Sequence, residues 1–295
     1  MTNPVNARTD PETGLRFYEW NGVLYPSVTT LRRLVGMPFR LHNWSLSQVI
    51  NRAIEEHKVV DAMLTRPVRK RERVRDKNVA KEVGTYLRLA ATEQRDLAGD
   101  RGTAIHDAIR AGAPLASITD PEVRQYVAQY LDFLERTKAQ VVWQEKQIWN
   151  LTLGYAGSAD AMLYLPESEY FPVAHLALVD YKSSGGVYLD HAVQIMAYAM
   201  GEFVGEGNVI DTEATAQLIA AERMGLLHLA PESWEYVDVR PTNQLFAGFA
   251  GQLAFARFLN DHQNSIEPLV AHRVTGGTTL IGAPSTVTVI KGGRP

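Results

Sequence analysis

The sequence predicts an α/β protein in which a central mixed β-sheet is flanked by helices. Its first third carries mainly helical periodicity, and the middle then changes to three successive strand-like segments. A helix, two further strand-like segments and a last amphipathic helix follow. Because the order is helix, three strands, helix, strand, the pattern favours one sheet with helices packed against it.

Composition restricts the classes of protein that this chain can belong to. The chain has 295 residues, 45% of them apolar, and a formal net charge of −3. It has no cysteine, which excludes disulfides, thiolate zinc sites and iron–sulfur clusters. We find no apolar run long enough to span a bilayer and no basic-then-apolar leader, so we expect a cytoplasmic protein without a membrane partner.

The first predicted region, residues 1–100, is a helical N-terminal region packed on the core. It begins with the aromatic-rich, hairpin-like segment RFYEWNGVLYP. Ser27 follows as a plausible N-cap of a helix that runs to Gly36. Longer helical patterns cover residues 45–64 and 76–98.

A basic stretch, RPVRKRERVRDK, interrupts this region. Arg69, Arg73 and Lys77 form one row at i, i+4 spacing if the stretch is helical. Such a row can follow a phosphate backbone. Because the net charge of the chain is small, nucleic-acid binding would need a local basic patch of this kind. The alternative is a solvated helix or loop in which Glu72 and Asp76 balance the basic side chains.

The second predicted region, residues 101–265, is the core. Helices around GDRGTAIHDAIRAG and at 120–138 precede the strands QVVWQEKQIWN, GYAGSADAMLYL and HLALVDYKSS. The helix LDHAVQIMAYAMG comes next, and ATAQLIAAERMGLLHLAP and SWEYVDVRP are predicted as a strand hairpin before the helix TNQLFAGFAGQLAFARFLNDH. A tail, residues 266–295, is rich in Gly, Pro and Thr and has no predicted fold.

The third strand ends in two charged residues. Asp180 and Lys182 alternate with Tyr181, so both project from one face. Buried charges need a mutual pair, a metal or a ligand to compensate them. The alternative is a strand-end ion pair that reaches solvent.

Several short motifs together resemble the PD-(D/E)XK nuclease superfamily, and within it the RecB-like branch. They are RGTAIH, Glu145, GSAD, DYK and QIMAY, in that order. The early YPSVTTL is similar to a segment of phage-encoded exonucleases of this branch. No single motif is specific, but their order and spacing are. The resemblance implies a restriction-endonuclease-like αβββαβ core with a helical N-terminal extension.

The resemblance also implies roles for the matched residues. Asp160 and Asp180 correspond to the two metal-binding carboxylates, Lys182 to the catalytic lysine, and His106 to the histidine that joins the metal shell. The implied metal is Mg²⁺ or Mn²⁺, which neutralises charge at the phosphate. A helix-face histidine with a hydrogen-bonded neighbour is the alternative for His106.

Other matched positions carry supporting roles. Gln194 and Tyr198 match the glutamine and tyrosine that support the site or the substrate strand, although one helical turn separates them and they could instead cap the sheet edge. Glu145 matches an acidic position of the preceding strand. Ala159 stands where the superfamily name has proline, a common departure in this branch.

The resulting expectation is a metal-dependent DNA nuclease, specifically an exonuclease of recombination or replication, acting in the host cytoplasm if it is phage-encoded. Its partners would be DNA and a recombination or single-strand-binding protein. Two alternatives stay open: a structure-selective or restriction-like endonuclease, and a DNA-binding protein whose nuclease core is inactive.

Overall fold

The computed structural model describes residues 5–11, 14–34, 39–65 and 75–261. Those up to Ala256 belong to one compact unit, and the few from Arg257 onward belong to a second. The predicted boundary at residue 100 falls inside a continuous helix. No helix within the described ranges combines the length and the apolar character needed to cross a bilayer.

The N-terminal part begins with a small antiparallel sheet of three strands, whose order is β1-β2-β3. Its elements are β1 (Ala7–Thr9), β2 (Arg16–Trp20), β3 (Val23–Pro26), α1 (Val28–Leu34), α2 (Phe39–Glu55), α3 (His57–Leu64) and α4 (Arg75–Arg110). Ser27 is the N-cap of α1, as predicted, because its hydroxyl accepts a hydrogen bond of 3.0 Å from the backbone N–H of Thr30.

The core that follows is built on a mixed sheet of seven strands in the order β10-β9-β6-β5-β4-β7-β8. Its elements are α5 (Pro121–Thr137), β4 (Gln140–Asn150), β5 (Tyr155–Leu165), β6 (His175–Lys182), α6 (Leu189–Ala199), β7 (Phe203–Glu206), β8 (Val209–Asp211), α7 (Thr212–Ala220), β9 (Arg223–Leu229), β10 (Trp234–Val239) and α8 (Asn243–Asp261). Only β6 and β9 pair in parallel among these strands, and a parallel pair needs a crossover.

The predicted α/β class, a mixed sheet flanked by helices, is confirmed. Elements α5, β4, β5, β6, α6 and β9 follow the predicted order of helix, three strands, helix and strand. The predicted hairpin of the last two strands is also present, because β9 and β10 pair antiparallel. An excursion of β7, β8 and α7 separates α6 from β9, and the sequence pattern did not predict it.

Each face of the large sheet is covered by a separate helical layer. On one face, α4 and α5 bury side chains such as Ile105 and Phe133 against β5, β6 and β9. On the other, α1, α6, α7 and the part of α8 up to Ala256 pack around Ile195. Alternation along β6 sends Tyr181 to the first layer and Leu178 to the second, so Asp180 and Lys182 share the side of α6.

Helices α7 and α4 also differ from the sequence prediction. Residues 214–220, expected to be extended, form most of α7, because the Asp211 carboxylate accepts the backbone N–H of Ala214 and caps a helix there. The two helices expected around residue 100 are one helix, α4, which contains Gly99 and Gly102 without a break. A single glycine costs a helix only about 1 kcal/mol, and packing of the C-terminal half of α4 on the sheet can offset that.

Candidate metal centre

Three acidic side chains lie in a row across adjacent strands. Glu145 of β4 lies opposite Asp160 of β5, because the residues on either side of them are paired. One position beyond the last pair of β5 and β6, the same register sets Asp160 opposite Asp180. Antiparallel neighbours bring opposite side chains within about 5 Å, so the sheet itself concentrates negative charge here.

His106 completes the cluster from α4. Its Nδ1 atom lies 3.5 Å from Glu145 Oε1 and 3.5 Å from Asp160 Oδ1. One ligand atom from each of these three residues lies within 4.8 Å of the others, a spacing that a single ion can bridge. An imidazole with two carboxylates suits Mn²⁺, and the carboxylates suit Mg²⁺. These residues therefore fit the predicted cofactor.

Glu145 has a backbone conformation that is unusual for a strand. Its φ is +49°, in the left-handed region that side chains other than glycine rarely adopt. Such a conformation costs of order 1–3 kcal/mol and persists only where the surroundings enforce it. Ser158 donates a hydrogen bond of 3.3 Å to the second oxygen of Glu145, which holds the carboxylate in place. The sequence motif placed this residue near the site, but nothing in the sequence predicts its backbone.

Asp180 is brought to the site but faces a different partner. It is 1% exposed, and its carboxylate forms an ion pair with Lys182. Among the described residues it is not a member of the group that meets the metal-ligand spacing. The structure therefore brings together the site residues that were predicted in residues 101–265. Glu145, rather than Asp180, lies beside His106 and Asp160.

A short chain of side chains from α6 fixes the lysine. Lys182 Nζ donates to Gln194 Oε1 at 3.2 Å, and Gln194 Nε2 donates to the Tyr198 hydroxyl at 3.0 Å. The Tyr198 ring packs against Gly157, where an added Cβ would lie 2.5 Å from a ring carbon. The glycine of GSAD is therefore required for close approach, and Gln194 and Tyr198 position Lys182 rather than cap a free edge.

The electrostatics show that the cluster carries more negative than positive charge. Burial lowers the pKa of His106, but Asp160, Glu145 and Asp180 outweigh that effect and raise it to about 9. Burial also raises the pKa of Asp160 to about 7, with the charge of His106 opposing and that of Asp180 adding. The backbone N–H of Tyr181 supports the Asp160 carboxylate by a 2.6 Å hydrogen bond. A bound cation would relieve this excess.

We expect metal affinity to rise with pH between 7 and 9. The His106 imidazole is protonated below its pKa of about 9, and a metal must displace that proton. Each proton displaced makes the affinity change by about tenfold per pH unit. Calorimetric titration with Mn²⁺ in two buffers of different ionisation enthalpy measures the metal affinity and the number of protons released on binding. Equal affinity and no proton release across this range would contradict the assignment of His106 as a ligand.

The predicted nucleic-acid contacts fall largely outside the described residues. Arg69 and Arg73 are not among them, and of Lys77 only the backbone, in α4, is described. Their role in binding nucleic acid stays a prediction.

Comparison with known proteins adds little to this geometry. No family model matches the chain, and no curated protein matches it. One solved structure that it resembles, "Crystal structure of SSO0001", is 14% identical, with a TM-score of 0.27. The match covers 45% of this chain and 56% of that one, so the chain spans about half the length of its neighbour. A likeness at this level carries no argument about function.

Proposed function

We propose that this protein is a metal-dependent DNA nuclease that hydrolyses phosphodiester bonds, and specifically an exonuclease of recombination or replication. The observation that carries the proposal is the cluster of His106, Glu145 and Asp160, with Lys182 held on the neighbouring strand end. The order of motifs that resembles the RecB-like nucleases supports the same reading. DNA is the proposed partner, and Mg²⁺ or Mn²⁺ the proposed cofactor.

The chemistry needs both parts of this arrangement. An anionic phosphodiester repels a nucleophile, so its negative charge must be neutralised before attack. A bound Mg²⁺ or Mn²⁺ supplies that neutralisation and lowers the pKa of a water molecule. His106, Glu145 and Asp160 would hold the ion. Lys182 would orient the attacking water and offset the charge that develops on the phosphate.

Lys182 suits that role because its side chain is held by neighbours and is still partly exposed to solvent. Its side chain is 15% exposed, whereas that of Asp180 is 2% exposed. Asp180 balances the charge from the buried side, and Gln194 accepts one ammonium hydrogen. An ammonium has three donors, so one remains for a substrate. We propose that Asp180 acts on the reaction mainly by holding the Lys182 ammonium in place through their ion pair.

The function is tested by comparing two forms of the same DNA. We expect linear duplex to be degraded progressively to short products with Mg²⁺ or Mn²⁺, because an exonuclease starts at ends. A covalently closed circle of the same sequence should survive, and excess chelator should stop degradation of the linear form reversibly. Gel analysis of both substrates over time is the measurement.

The outcomes separate the alternatives. Cutting of the closed circle at a rate similar to the linear form would favour an endonuclease. Binding of linear DNA without cleavage, with either metal present, would favour the inactive DNA-binding protein.

Neutralising Arg69, Arg73 and Lys77 together should weaken DNA binding and flatten its dependence on salt, without sequence preference.

A further inference from the structure

A cleft of about 320 Å³ opens beside the candidate metal centre. It lies where the C-terminal part of α4 meets the segment that leaves β6. Its lining includes His106 and Lys182 from the centre itself, and beyond them Arg101, Ser183, Ser184 and His191. The cleft is therefore continuous with the proposed reaction site, but most of its lining residues lie outside the candidate metal centre.

We infer that this cleft is a phosphate-binding subsite, which seats the phosphate of a nucleotide next to the scissile bond. The inference rests on the proposed function for the identity of the substrate. It adds a binding site, a ligand class and the residues that recognise the ligand, with Arg101 and Ser183 as the principal donors.

The charges around the cleft favour an anion. Arg101 and Lys182 are cationic, His191 and the two serines offer polar groups, and no Asp or Glu is among the described residues that line the cleft. The acidic row of Glu145, Asp160 and Asp180 lies outside that lining. The acidic row therefore suits cations, and the neighbouring cleft suits the phosphates of the substrate.

Arg101 is held in position but keeps donors for a ligand. Its Nη1 atom donates to Glu122 at 2.6 Å, and its guanidinium carbon lies 5.5 Å from the centre of the Tyr126 ring. Its Nε–H is buried and has no hydrogen-bond partner among the described residues, so the donors left for a ligand are those of the two Nη atoms. Of the four N–H donors on the Nη atoms, one is used among the described residues, so Nη donors remain for phosphate oxygens. Glu122 and Tyr126 therefore fix the Arg101 side chain without occupying all of its hydrogen-bond donors.

The volume of the cleft is compatible with a ligand the size of one nucleotide. Its volume lies at the small end of the range for ligand sites, about 300–1,000 Å³. Gly99 lines it, and an added Cβ there would meet no atom within 4 Å, so the helix leaves open space at this point. At Gly102 an added Cβ would instead contact Ser183 Oγ at 3.5 Å, which shows how closely α4 approaches the serine segment.

The test measures binding of a nucleotide without metal. We expect metal-free protein in excess chelator to bind deoxyadenosine 5′-monophosphate, by NMR titration, and to bind deoxyadenosine far more weakly. Arg101→Met should weaken monophosphate binding by about tenfold or more, which corresponds to about 1.4 kcal/mol, because it removes a charge-assisted hydrogen bond to the phosphate. Ser183→Ala should weaken it to a smaller extent. Neither variant removes a candidate metal ligand.

Matched variants separate recognition from structure. Glu122→Gln breaks the same Arg101 pair but leaves the guanidinium, so monophosphate binding should be retained or strengthened. Arg110→Met removes an arginine of the same helix that pairs with Asp107 and does not line the cleft, so binding should not change. Gly99→Leu places a side chain in the open space beside Gly99 and should weaken binding, while leucine favours the helix more than glycine does.

The results distinguish this inference from the proposed function. Equal losses in Arg101→Met and Glu122→Gln would mean that the ion pair acts only structurally, which overturns the subsite. So would equal binding of monophosphate and nucleoside. If wild type cleaves DNA and Arg101→Met raises its KM for linear DNA with kcat nearly unchanged, the subsite is supported. If wild type binds monophosphate through Arg101 but cleaves no DNA with any metal, the proposed function fails and the phosphate site remains.

Discussion

Lys182→Met is expected to lower DNA cleavage by at least about 10²-fold while DNA binding is retained. The ammonium lies at the edge of the candidate centre, where charge would develop on the phosphate, and methionine keeps the length of the side chain but donates nothing. Initial rates on linear DNA at saturating Mg²⁺ or Mn²⁺ measure the loss, and a binding assay in chelator measures retention. Cleavage above about one per cent of wild type would remove Lys182 from the proposed chemistry.

The variant needs a control for stability, because Asp180 is buried against this lysine. Leaving one buried charge unpaired can cost about 3–5 kcal/mol, whereas removing both partners is much less costly. The double variant Asp180→Asn, Lys182→Met should therefore be more stable than Lys182→Met and equally inactive. Arg223→Met breaks another sheet pair, with Asp238, away from the centre, and should cleave like wild type.

The sequence predicts the three central strands well because their signal is strong. Strands β5 and β6 contain the continuous apolar runs AMLYL and LALV, and β4 begins and ends where the pattern predicts. The Asp-x-Lys alternation also places Asp180 and Lys182 on one face, as the strand requires. The prediction of a strand at residues 214–220 is wrong for the opposite reason. A short apolar run does not distinguish a buried helix from a strand.

The structure brings together the residues that the motifs name, but the sequence does not give their geometry. The motifs name His106, Asp160 and Lys182, yet which carboxylate faces the histidine depends on the backbone of Glu145, and φ at a glutamate cannot be read from sequence. The cleft at Arg101 is a second example. It forms where a helix from one region meets the end of a strand about eighty residues later, a tertiary contact that local patterns do not encode.

Glu145→Gln is expected to weaken Mn²⁺ binding by on the order of 10–100-fold, and Asp180→Asn to weaken it much less. The loss of a group that merely orients a ligand already costs 10–100-fold in metal affinity, so the loss of a ligand's charge should cost at least as much. Glu145 lies 3.5 Å from His106 Nδ1, whereas Asp180 is paired with Lys182. Calorimetry at one pH, with all three proteins, measures the order of affinities.

A third variant separates the ligand from the backbone that carries it. Glycine adopts a φ of +49° at no steric cost, so Glu145→Gly should relieve strain of about 1–3 kcal/mol, offset by the entropy that glycine loses in a strand. We therefore expect Glu145→Gly to lose metal affinity as Glu145→Gln does, but with a metal-free melting temperature close to that of wild type. That combination is what a residue strained for function should give. If Asp180→Asn instead lost more affinity than both Glu145 variants, the ion would lie between Asp160 and Asp180, as the sequence motifs alone imply.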